Sequence, residues 1–221
     1  MHNTTLWGFD GSTYVRTIKM QFAEKGFTDF TQVPLNVLAG EPRSPDHLQR
    51  HPFGKVPVLD HDNVRVLETS AIARYIENVL PGPSLIPKSA LDQARMDMVV
   101  AVIDAYGNAA LTAVAGYHLF ADFIGGQDET AREAARVTSR TVIEFIIRTK
   151  GNSPFIAGDL SLADLFLAPV AAYVAMTPDR DVMFSVPGFA DWWERVNGLS
   201  SFATTQAQVD DLMRADKAGA E

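Results

Sequence analysis

The chain has 221 residues, of which 19 are basic and 27 are acidic, for a formal charge of -8. This acidic balance argues against nucleic acid as a partner, because binding to phosphate backbones needs a cationic surface. The hydrophobic fraction of 47% is typical of a globular protein with a sizeable core. The absence of cysteine excludes disulfides, thiolate metal sites and cysteine nucleophiles within the chain itself.

Nothing in the sequence indicates export or membrane insertion. The first five residues lack a basic region followed by an apolar stretch. No uninterrupted apolar run approaches about 18 residues, the length of a membrane span. We therefore expect a cytoplasmic protein with no membrane partner.

Short strands and helices alternate in the first eighty residues. Residues 5–9 are predicted as a strand, and a turn over 10–12 leads into a helix over 14–25 with apolar spacings of three and four. Gly26 lies where a left-handed residue ends a helix. Residues 30–35 form a second predicted strand, and Pro34 marks it as an edge or an end.

The next segment predicts a hairpin and a helix. Strands ending at Leu59 and beginning at Val64 flank a turn over 61–63. Thr69 or Ser70 is predicted to cap a helix that runs through Val79. The cluster Pro81-Gly82-Pro83 then breaks the chain and is the best candidate for a linker.

From Ser89 onward the pattern is helical. We predict a first helix from Ser89 to about residue 124, which Gly125-Gly126 ends. Further helices are predicted over 128–149, over 161–175 and around Trp192. The tail from Thr204 is only weakly periodic. The predicted domains are 1–80, with a linker over 81–86, and an all-helical domain over 87–221.

The charge divides unevenly between these halves. Residues 1–80 hold 8 basic and 9 acidic groups, and residues 81–221 hold 11 and 18. The N-terminal half, at -1, repels an anionic ligand less than the C-terminal half, at -7.

The order of strand, helix, strand, Val-Pro, hairpin and helix is that of a thioredoxin-like domain. The Val56-Pro57 bond can be cis at modest cost, and the backbone of Val56 would then pair with an extended peptide. An ordinary trans proline at the start of a strand is the alternative.

Glu68-Thr69-Ser70 stands at the start of a predicted helix. Free backbone N–H groups and the helix dipole attract a carboxylate there, and Glu68 can hold an ammonium group. A ligand with an amino-acid end would satisfy both. The alternative is an ordinary helix cap with an acidic neighbour.

Ser12 lies just after the first predicted strand and before the first helix. Its hydroxyl can donate a hydrogen bond to an anion at the mouth of the domain. A plain helix cap is the alternative, and Thr13 or Tyr14 could supply the hydroxyl instead.

Four segments together resemble the glutathione S-transferase family, most closely its serine-type phi and theta-like classes. They are WGFDGS (7–12), LQRHPFGKVPVL (48–59), LETSAIARYI (67–76) and FIAGDLSLAD (155–164). The resemblance implies an α/β thioredoxin-like domain followed by an all-α domain, glutathione as co-substrate, and a homodimer.

The resemblance also implies roles for individual residues. Ser12 would donate its hydrogen bond to the glutathione sulfur. Val56, next to cis-Pro57, would pair with the cysteinyl backbone. Glu68 and Thr69 would hold the γ-glutamyl end.

Lys55 and Arg43 would lie near the glycine carboxylate of glutathione. Two departures from the family pattern affect this assignment: Pro42 stands where phi enzymes usually place a histidine, and Lys55 stands where many have glutamine.

No sequence motif identifies the residues that line the electrophile pocket. Phe9, Tyr106, Tyr117 and Phe120 are candidates to line it, and core or dimer-interface positions are the alternative. Asp104 is a candidate to reach the γ-glutamyl ammonium bound by a partner subunit.

Two further patterns are assigned no catalytic part. Ser161 and Asp164 have the spacing of a capping box. His47 and His51 are four residues apart but lack a third convincing ligand, so we expect no metal site.

The sequence thus predicts a glutathione transferase that activates a thiol for attack on a small hydrophobic electrophile. Glutathione-dependent peroxide reduction or dehalogenation would use the same thiolate. A non-catalytic member that binds glutathione or hydrophobic ligands, or that serves as an interaction module, is the alternative from another class.

Overall fold

The computed structural model describes residues 3–207, and these form two compact units. The first unit contains residues 3–83 and 203–207, and the second contains residues 84–202. The division after Pro83 falls within the segment proposed as a linker. Residues 203–207 group with the N-terminal unit, whereas the sequence places them in the predicted helical domain. The rest of the predicted tail, 208–221, lies outside the described residues.

A four-stranded mixed sheet forms the centre of the first unit. Its strands, in the spatial order β2-β1-β3-β4, are β1 (Thr4–Trp7), β2 (Thr31–Val33), β3 (Val58–His61) and β4 (Val64–Val66). β1 pairs in parallel with β2 and antiparallel with β3, and β3 pairs antiparallel with β4. The helices are α1 (Thr13–Glu24), α2 (Pro45–Leu48) and α3 (Thr69–Val79), with a 3-10 turn at Glu41–Arg43. The predicted thioredoxin-like fold is confirmed, with β2 at the edge that Pro34 indicated.

Apolar side chains from the sheet and from two helices form the core of this unit. α1 packs against α3, and α3 packs against β3. Burial of each aliphatic side chain contributes about 1.5–3 kcal/mol. The core side chains, each at most 1% exposed, include Leu6, Val15, Ile18, Phe22, Val58, Leu59, Ile72 and Ile76.

The start of α3 differs from the prediction. The helix begins at Thr69, and Glu68 occupies the N-cap position without a side-chain capping bond. Glu68 has φ 65° and ψ 124°, a conformation that a residue with a side chain rarely adopts and that costs about 1–3 kcal/mol. The prediction that Thr69 or Ser70 caps the helix was therefore wrong, because Thr69 is already the first helical residue and Glu68 occupies the N-cap position.

The second unit is helical. Its helices are α4 (Ala90–Val102), α5 (Asn108–Leu119), α6 (Glu129–Lys150), α7 (Leu162–Ala175), α8 (Asp181–Phe184) and α9 (Phe189–Asn197), and a short α10 (Ser200–Thr204) follows. A π-helical segment, Ile103–Gly107, joins α4 to α5. The helix predicted to reach about residue 124 ends at Leu119.

The continuous helix Ala90–Leu119 is long and apolar enough to cross a membrane, with an 18-residue window of mean hydropathy 1.6. A core helix meets the same criterion. Met96, Val99, Leu111 and Val114 on this helix are buried within the unit, and α5 packs against α6 and α7. We therefore interpret it as the central helix of the helical unit.

Candidate active site

The strand register brings four segments to one edge of the sheet. Trp7, near the end of β1, pairs with Val33 at the end of β2 and with Val58 at the start of β3. Val66, at the end of β4, pairs with Leu59. The chain that leaves β1, β2 and β4 and the chain that enters β3 therefore meet at this edge. They carry the predicted site residues of the first unit: Phe9, Ser12, Arg43, Lys55, Val56, Pro57, Glu68 and Thr69.

Ser12 is the N-cap of α1. Its Oγ accepts a hydrogen bond of 3.4 Å from the backbone N–H of Val15. A hydroxyl can accept and donate at once. No acceptor for the hydroxyl proton of half-buried Ser12 occurs within residues 3–207. The capping role and the predicted donor role are therefore compatible.

Asp10 fixes the turn that carries Ser12. Its Oδ1 accepts hydrogen bonds from Lys19 Nζ at 2.7 Å and from Gln32 Nε2 at 2.8 Å. Burial raises the pKa of Asp10, but the hydrogen bonds from Lys19 and Gln32 outweigh it and leave the pKa below its usual range. The turn is thus tied to α1 and to β2 by an ionised carboxylate.

Gly8 allows the end of β1 to approach α1. A Cβ on Gly8 would lie 2.4 Å from Cγ2 of Val15, closer than any real contact. Gly8 is the residue after β1, and Val15 is in the first turn of α1. The close approach therefore sets the position of Ser12, which lies between them in the chain.

The Val56-Pro57 bond is cis, as the sequence interpretation required. Pro57 is buried and Val56 is half-buried. The imidazole Nε2 of His47, a fully buried residue, lies 2.8 Å from the carbonyl oxygen of Lys55. Because a carbonyl only accepts, Nε2 carries the proton and donates it. His47 thereby fixes the peptide that precedes Val56.

Arg43 lies against the same loop. Gly54 has φ 59°, and a Cβ there would be 2.8 Å from the carbonyl oxygen of Pro42 and 2.9 Å from Cδ of Arg43. Only glycine fits without a shift. The side chain of Arg43 therefore passes beside Gly54, next to Lys55 in the chain, and both cations are exposed.

Glu68 and Thr69 stand at the N-terminus of α3. Thr69 is buried, whereas the side chain of Glu68 is 67% exposed. The first N–H groups of a helix have no partner within the helix and favour anions. His51 Nε2 lies 3.8 Å from Oε1 of Glu68. A carboxylate and a helix N-terminus are thus adjacent, as an amino-acid end would require.

The comparisons with known proteins agree with this geometry. The family model "Glutathione S-transferase, N-terminal domain" matches residues 2–78. Glutathione S-transferase 1 of Zea mays is 31% identical over 194 residues, which cover 86% of this chain and 88% of that protein. The chain belongs to the glutathione S-transferase family. Glutathione is therefore its co-substrate.

Solved structures of this family have the same fold. Glutathione transferase F7 from Populus trichocarpa matches 95% of this chain and 99% of its own, with a TM-score of 0.81 and 25% identity. Maize glutathione S-transferase I, in complex with an atrazine glutathione conjugate, matches 96% of this chain and 98% of its own, with a TM-score of 0.79 and 27% identity. The expected two-part architecture of a glutathione transferase is confirmed.

The predicted electrophile residues are divided between the two units. Phe9 is half-buried in the turn after β1, whereas Tyr117 and Phe120 are at the end of α5. The ring of Phe120 packs edge-on against Tyr173 at 5.6 Å. The guanidinium of Arg132 lies 5.0 Å from the ring of Tyr117. The electrophile pocket stays a prediction.

A buried carboxylate supports the end of α5. Asp179, 3% exposed, accepts hydrogen bonds from Arg132 Nε at 2.6 Å, from His118 Nε2 at 2.8 Å and from Arg136. The hydrogen bond from Arg132, reinforced by His118 and Arg136, holds the pKa of Asp179 well below its usual range. The network fixes His118, whose neighbour in the chain is Tyr117.

The sequence interpretation missed four polar residues that hold the predicted site in place: Asp10, Gln32, His47 and Asp179. Each acts through partners that no local motif marks. Within residues 3–207, no group of three or more His, Cys, Asp or Glu side chains could hold a metal ion. A groove of about 590 Å³ between the end of α6 and the start of α9 contains none of the predicted site residues.

Proposed function

We propose that the chain is a glutathione transferase that joins the sulfur of glutathione to a small hydrophobic electrophile, with Ser12 as the catalytic residue. The observation that carries the proposal is the donor capacity of Ser12. Its hydroxyl proton has no acceptor within residues 3–207, at the edge where the other three segments meet. In this proposal the acceptor is the glutathione sulfur.

The hydrogen bond from Ser12 favours the thiolate. A free thiol has a pKa of about 8.5 and is only a few per cent ionised at pH 7, and each unit of depression is worth about 1.4 kcal/mol. One charge-assisted hydrogen bond gives about 1.5–3 kcal/mol, and the N-terminus of α1 gives about 0.3–1 kcal/mol. Together these lower the thiol pKa by one to three units, so no general base is required.

The chemical step is a displacement at carbon. The thiolate sulfur donates an electron pair to the electrophilic carbon, a sulfur–carbon bond forms, and a leaving group such as chloride departs with the pair from its broken bond. The thiol proton has already passed to solvent. The protein therefore contributes thiol activation and proximity.

The backbone of Val56 pairs with the cysteinyl residue in this proposal, since the loop before β3 presents it at the same edge as Ser12. Glu68 holds the γ-glutamyl ammonium, and Thr69 with the N-terminus of α3 holds the adjacent carboxylate. These two contacts need the Glu68 carboxylate and the N-terminus of α3 to be adjacent, and the position of Glu68 as the N-cap of α3 supports this.

Arg43 and Lys55 hold the glycine carboxylate. Their support is the close approach of Arg43 to Gly54, which places two exposed cations on one loop. Lys55 stands where many family members have glutamine, so the carboxylate would meet a charged ammonium group instead of the N–H groups of a side-chain amide.

The candidates from the sequence for the electrophile site are Phe9, Tyr117 and Phe120. Their aromatic surfaces suit an apolar substrate. The maize relative at 27% identity was solved with an atrazine glutathione conjugate, which supports conjugation to a ring-bearing electrophile.

A homodimer is part of the proposal, as is a cytoplasmic role in detoxification. Phe53 is 66% exposed on the first unit and Tyr106 is 62% exposed on the second, and exposed aromatic side chains of this kind are enriched in protein interfaces. Sedimentation velocity gives the oligomeric state directly.

The test combines calorimetry with product analysis. The purified chain should bind glutathione and convert glutathione and an aryl chloride to a thioether. Glutathione disulfide formed from a peroxide, without thioether, would favour the peroxidase alternative. Binding without turnover on a broad electrophile panel would favour a carrier, and no binding would refute the proposal.

A further inference from the structure

His51 lies between the loop that precedes β3 and the start of α3. The residue is 1% exposed. Its Nδ1 accepts a hydrogen bond of 3.3 Å from the backbone N–H of Phe53. A neutral imidazole carries one ring proton, so an accepting Nδ1 places that proton on Nε2. Nε2 is the atom that faces Oε1 of Glu68, at 3.8 Å.

The ring is neutral near pH 7. Burial lowers the pKa of His51, and the Glu68 carboxylate only partly offsets this effect. The other charged or titratable groups that act on the ring are His47, whose ring lies 6.4 Å away, and Lys55, and both lower the pKa further. His51 therefore presents a polar N–H to Glu68 without a full positive charge that would compete for the carboxylate.

Glu68 needs such a neighbour. Its side chain is mostly exposed, and a free glutamate loses rotamer entropy when a ligand orders it. A buried N–H that attracts one carboxylate oxygen leaves the second oxygen directed to the ligand and reduces this loss. The contact at 3.8 Å is longer than a hydrogen bond, and such contacts commonly shorten when the ligand binds.

We infer that His51 is a positioning residue for the γ-glutamyl subsite, in which its Nε2–H orients the Glu68 carboxylate toward the primary ammonium group of the ligand. The inference rests on the proposed function, because it takes glutathione as that ligand. It assigns the binding of the amino end to a pair of residues, one of which never touches the ligand.

The probe is S-methylglutathione, followed by calorimetry. The thioether has no ionisable thiol, so its affinity does not depend on thiol ionisation or on catalysis. His51→Asn keeps an oxygen near the position of Nδ1 for the Phe53 N–H but removes the donor that faces Glu68. We expect binding to weaken about five- to tenfold, which is within the range for loss of one ordinary hydrogen bond. His51→Gln can place an N–H near the position of Nε2, and its affinity should be within about twofold of wild type.

A double-mutant cycle separates positioning from a general structural effect. Glu68→Gln alone should weaken binding at least as much as His51→Asn, because it removes the charge that holds the ammonium group. In the double variant, His51→Asn should cause almost no further loss, since the group that it orients is gone. His61→Asn is the matched control: His61 is also a buried histidine of this unit, but its Nδ1 contacts Tyr75, at 2.9 Å. Its affinity should equal that of wild type.

Two results would overturn the inference while the proposed function survives. One is wild-type affinity in His51→Asn, and the other is losses that simply multiply in the double variant. If wild type itself does not bind S-methylglutathione, the inference and the proposed function both fail. If His51→Asn does not fold, His51→Gln decides alone, and a loss of about tenfold or more would contradict the positioning role.

Discussion

Replacement of Asp164 by alanine removes the acceptor at the centre of a buried network in the helical unit. Its carboxylate is 1% exposed. Oδ1 accepts from the backbone N–H of Ile156 at 3.0 Å and from Trp192 Nε1 at 2.9 Å. Oδ2 accepts from the backbone N–H and the hydroxyl of Ser161, at 3.0 and 2.9 Å. This carboxylate closes the predicted capping box and ties α7 to α9.

The magnitude follows from the donors that lose their acceptor. Three buried N–H groups would have no partner, at about 1–3 kcal/mol each. Burial raises the pKa of Asp164 despite the four hydrogen bonds, so the ionised carboxylate carries a desolvation cost that offsets part of this loss. We expect Asp164→Ala to lower the free energy of unfolding by about 4–5 kcal/mol. Asp164→Asn keeps one oxygen acceptor and should lose about 2 kcal/mol.

Thermal and urea denaturation followed by circular dichroism measure these losses. For a chain of this length, each 1 kcal/mol lowers Tm by roughly 2–4 °C, so the Tm of Asp164→Ala should fall by about 8–20 °C. Asp159→Ala is the control, because Asp159 is an exposed carboxylate of the same segment and should change stability by less than about 0.5 kcal/mol. A loss below about 1 kcal/mol in Asp164→Ala would refute the reasoning.

Three further predictions concern charge and loop geometry. The pKa of Asp179 is lowered in the folded state, so its contribution is present above the unfolded-state pKa of about 3.9 and is lost as the pH falls through the folded-state value. Asp179→Asn should therefore reduce the loss of stability between about pH 6 and pH 3 in urea denaturation. Lys25 Nζ lies 3.3 Å from Oε2 of Glu77, and both side chains are 2% exposed. Glu77→Gln leaves the lysine charge buried without its partner and should lower the free energy of unfolding by about 3–5 kcal/mol. The double change Lys25→Met, Glu77→Leu should restore most of this stability in the same assay. Gly54→Ala should raise KM for glutathione about tenfold with little change in kcat, because its Cβ would displace Arg43.

A different result would contradict each of these three predictions. An unchanged pH dependence in Asp179→Asn would mean that the carboxylate titrates alike in both states. If Glu77→Gln and the double variant were equally unstable, the buried ion pair would not explain the loss. A fall in kcat alone for Gly54→Ala would place the loop in the chemical step rather than in binding.

Local signals made much of the fold predictable. Pro34 indicated an edge or an end of β2, Gly26 ended α1 with φ 67°, and the spacing of Ser161 and Asp164 identified a cap, because each depends on neighbouring residues in the chain. The prediction that the Val56-Pro57 bond is cis depended on the order of the surrounding elements, and the family resemblance supported that prediction.

The groups that hold the site could not be predicted in this way. Gln32 reaches Asp10 across 22 positions, and His118 reaches Asp179 across 61, so only the folded chain brings them together. Positive φ at Glu68 was also hidden, since glutamate carries no preference for that conformation. The position of His51 relative to Glu68 has no local signal either, because the two residues are 17 positions apart in the sequence.

The most direct test of the central claim is the pKa of the glutathione thiol when it is bound, followed by the ultraviolet absorbance of the thiolate across a pH titration. We expect a pKa one to three units below the free value of about 8.5 for wild type, and a return toward that value by at least about one unit in Ser12→Ala. Ser89→Ala, which removes another serine N-cap with an Oγ acceptor at 3.3 Å, should behave as wild type, as should Thr13→Val and Tyr14→Phe. An identical thiol pKa in wild type and Ser12→Ala would contradict the account.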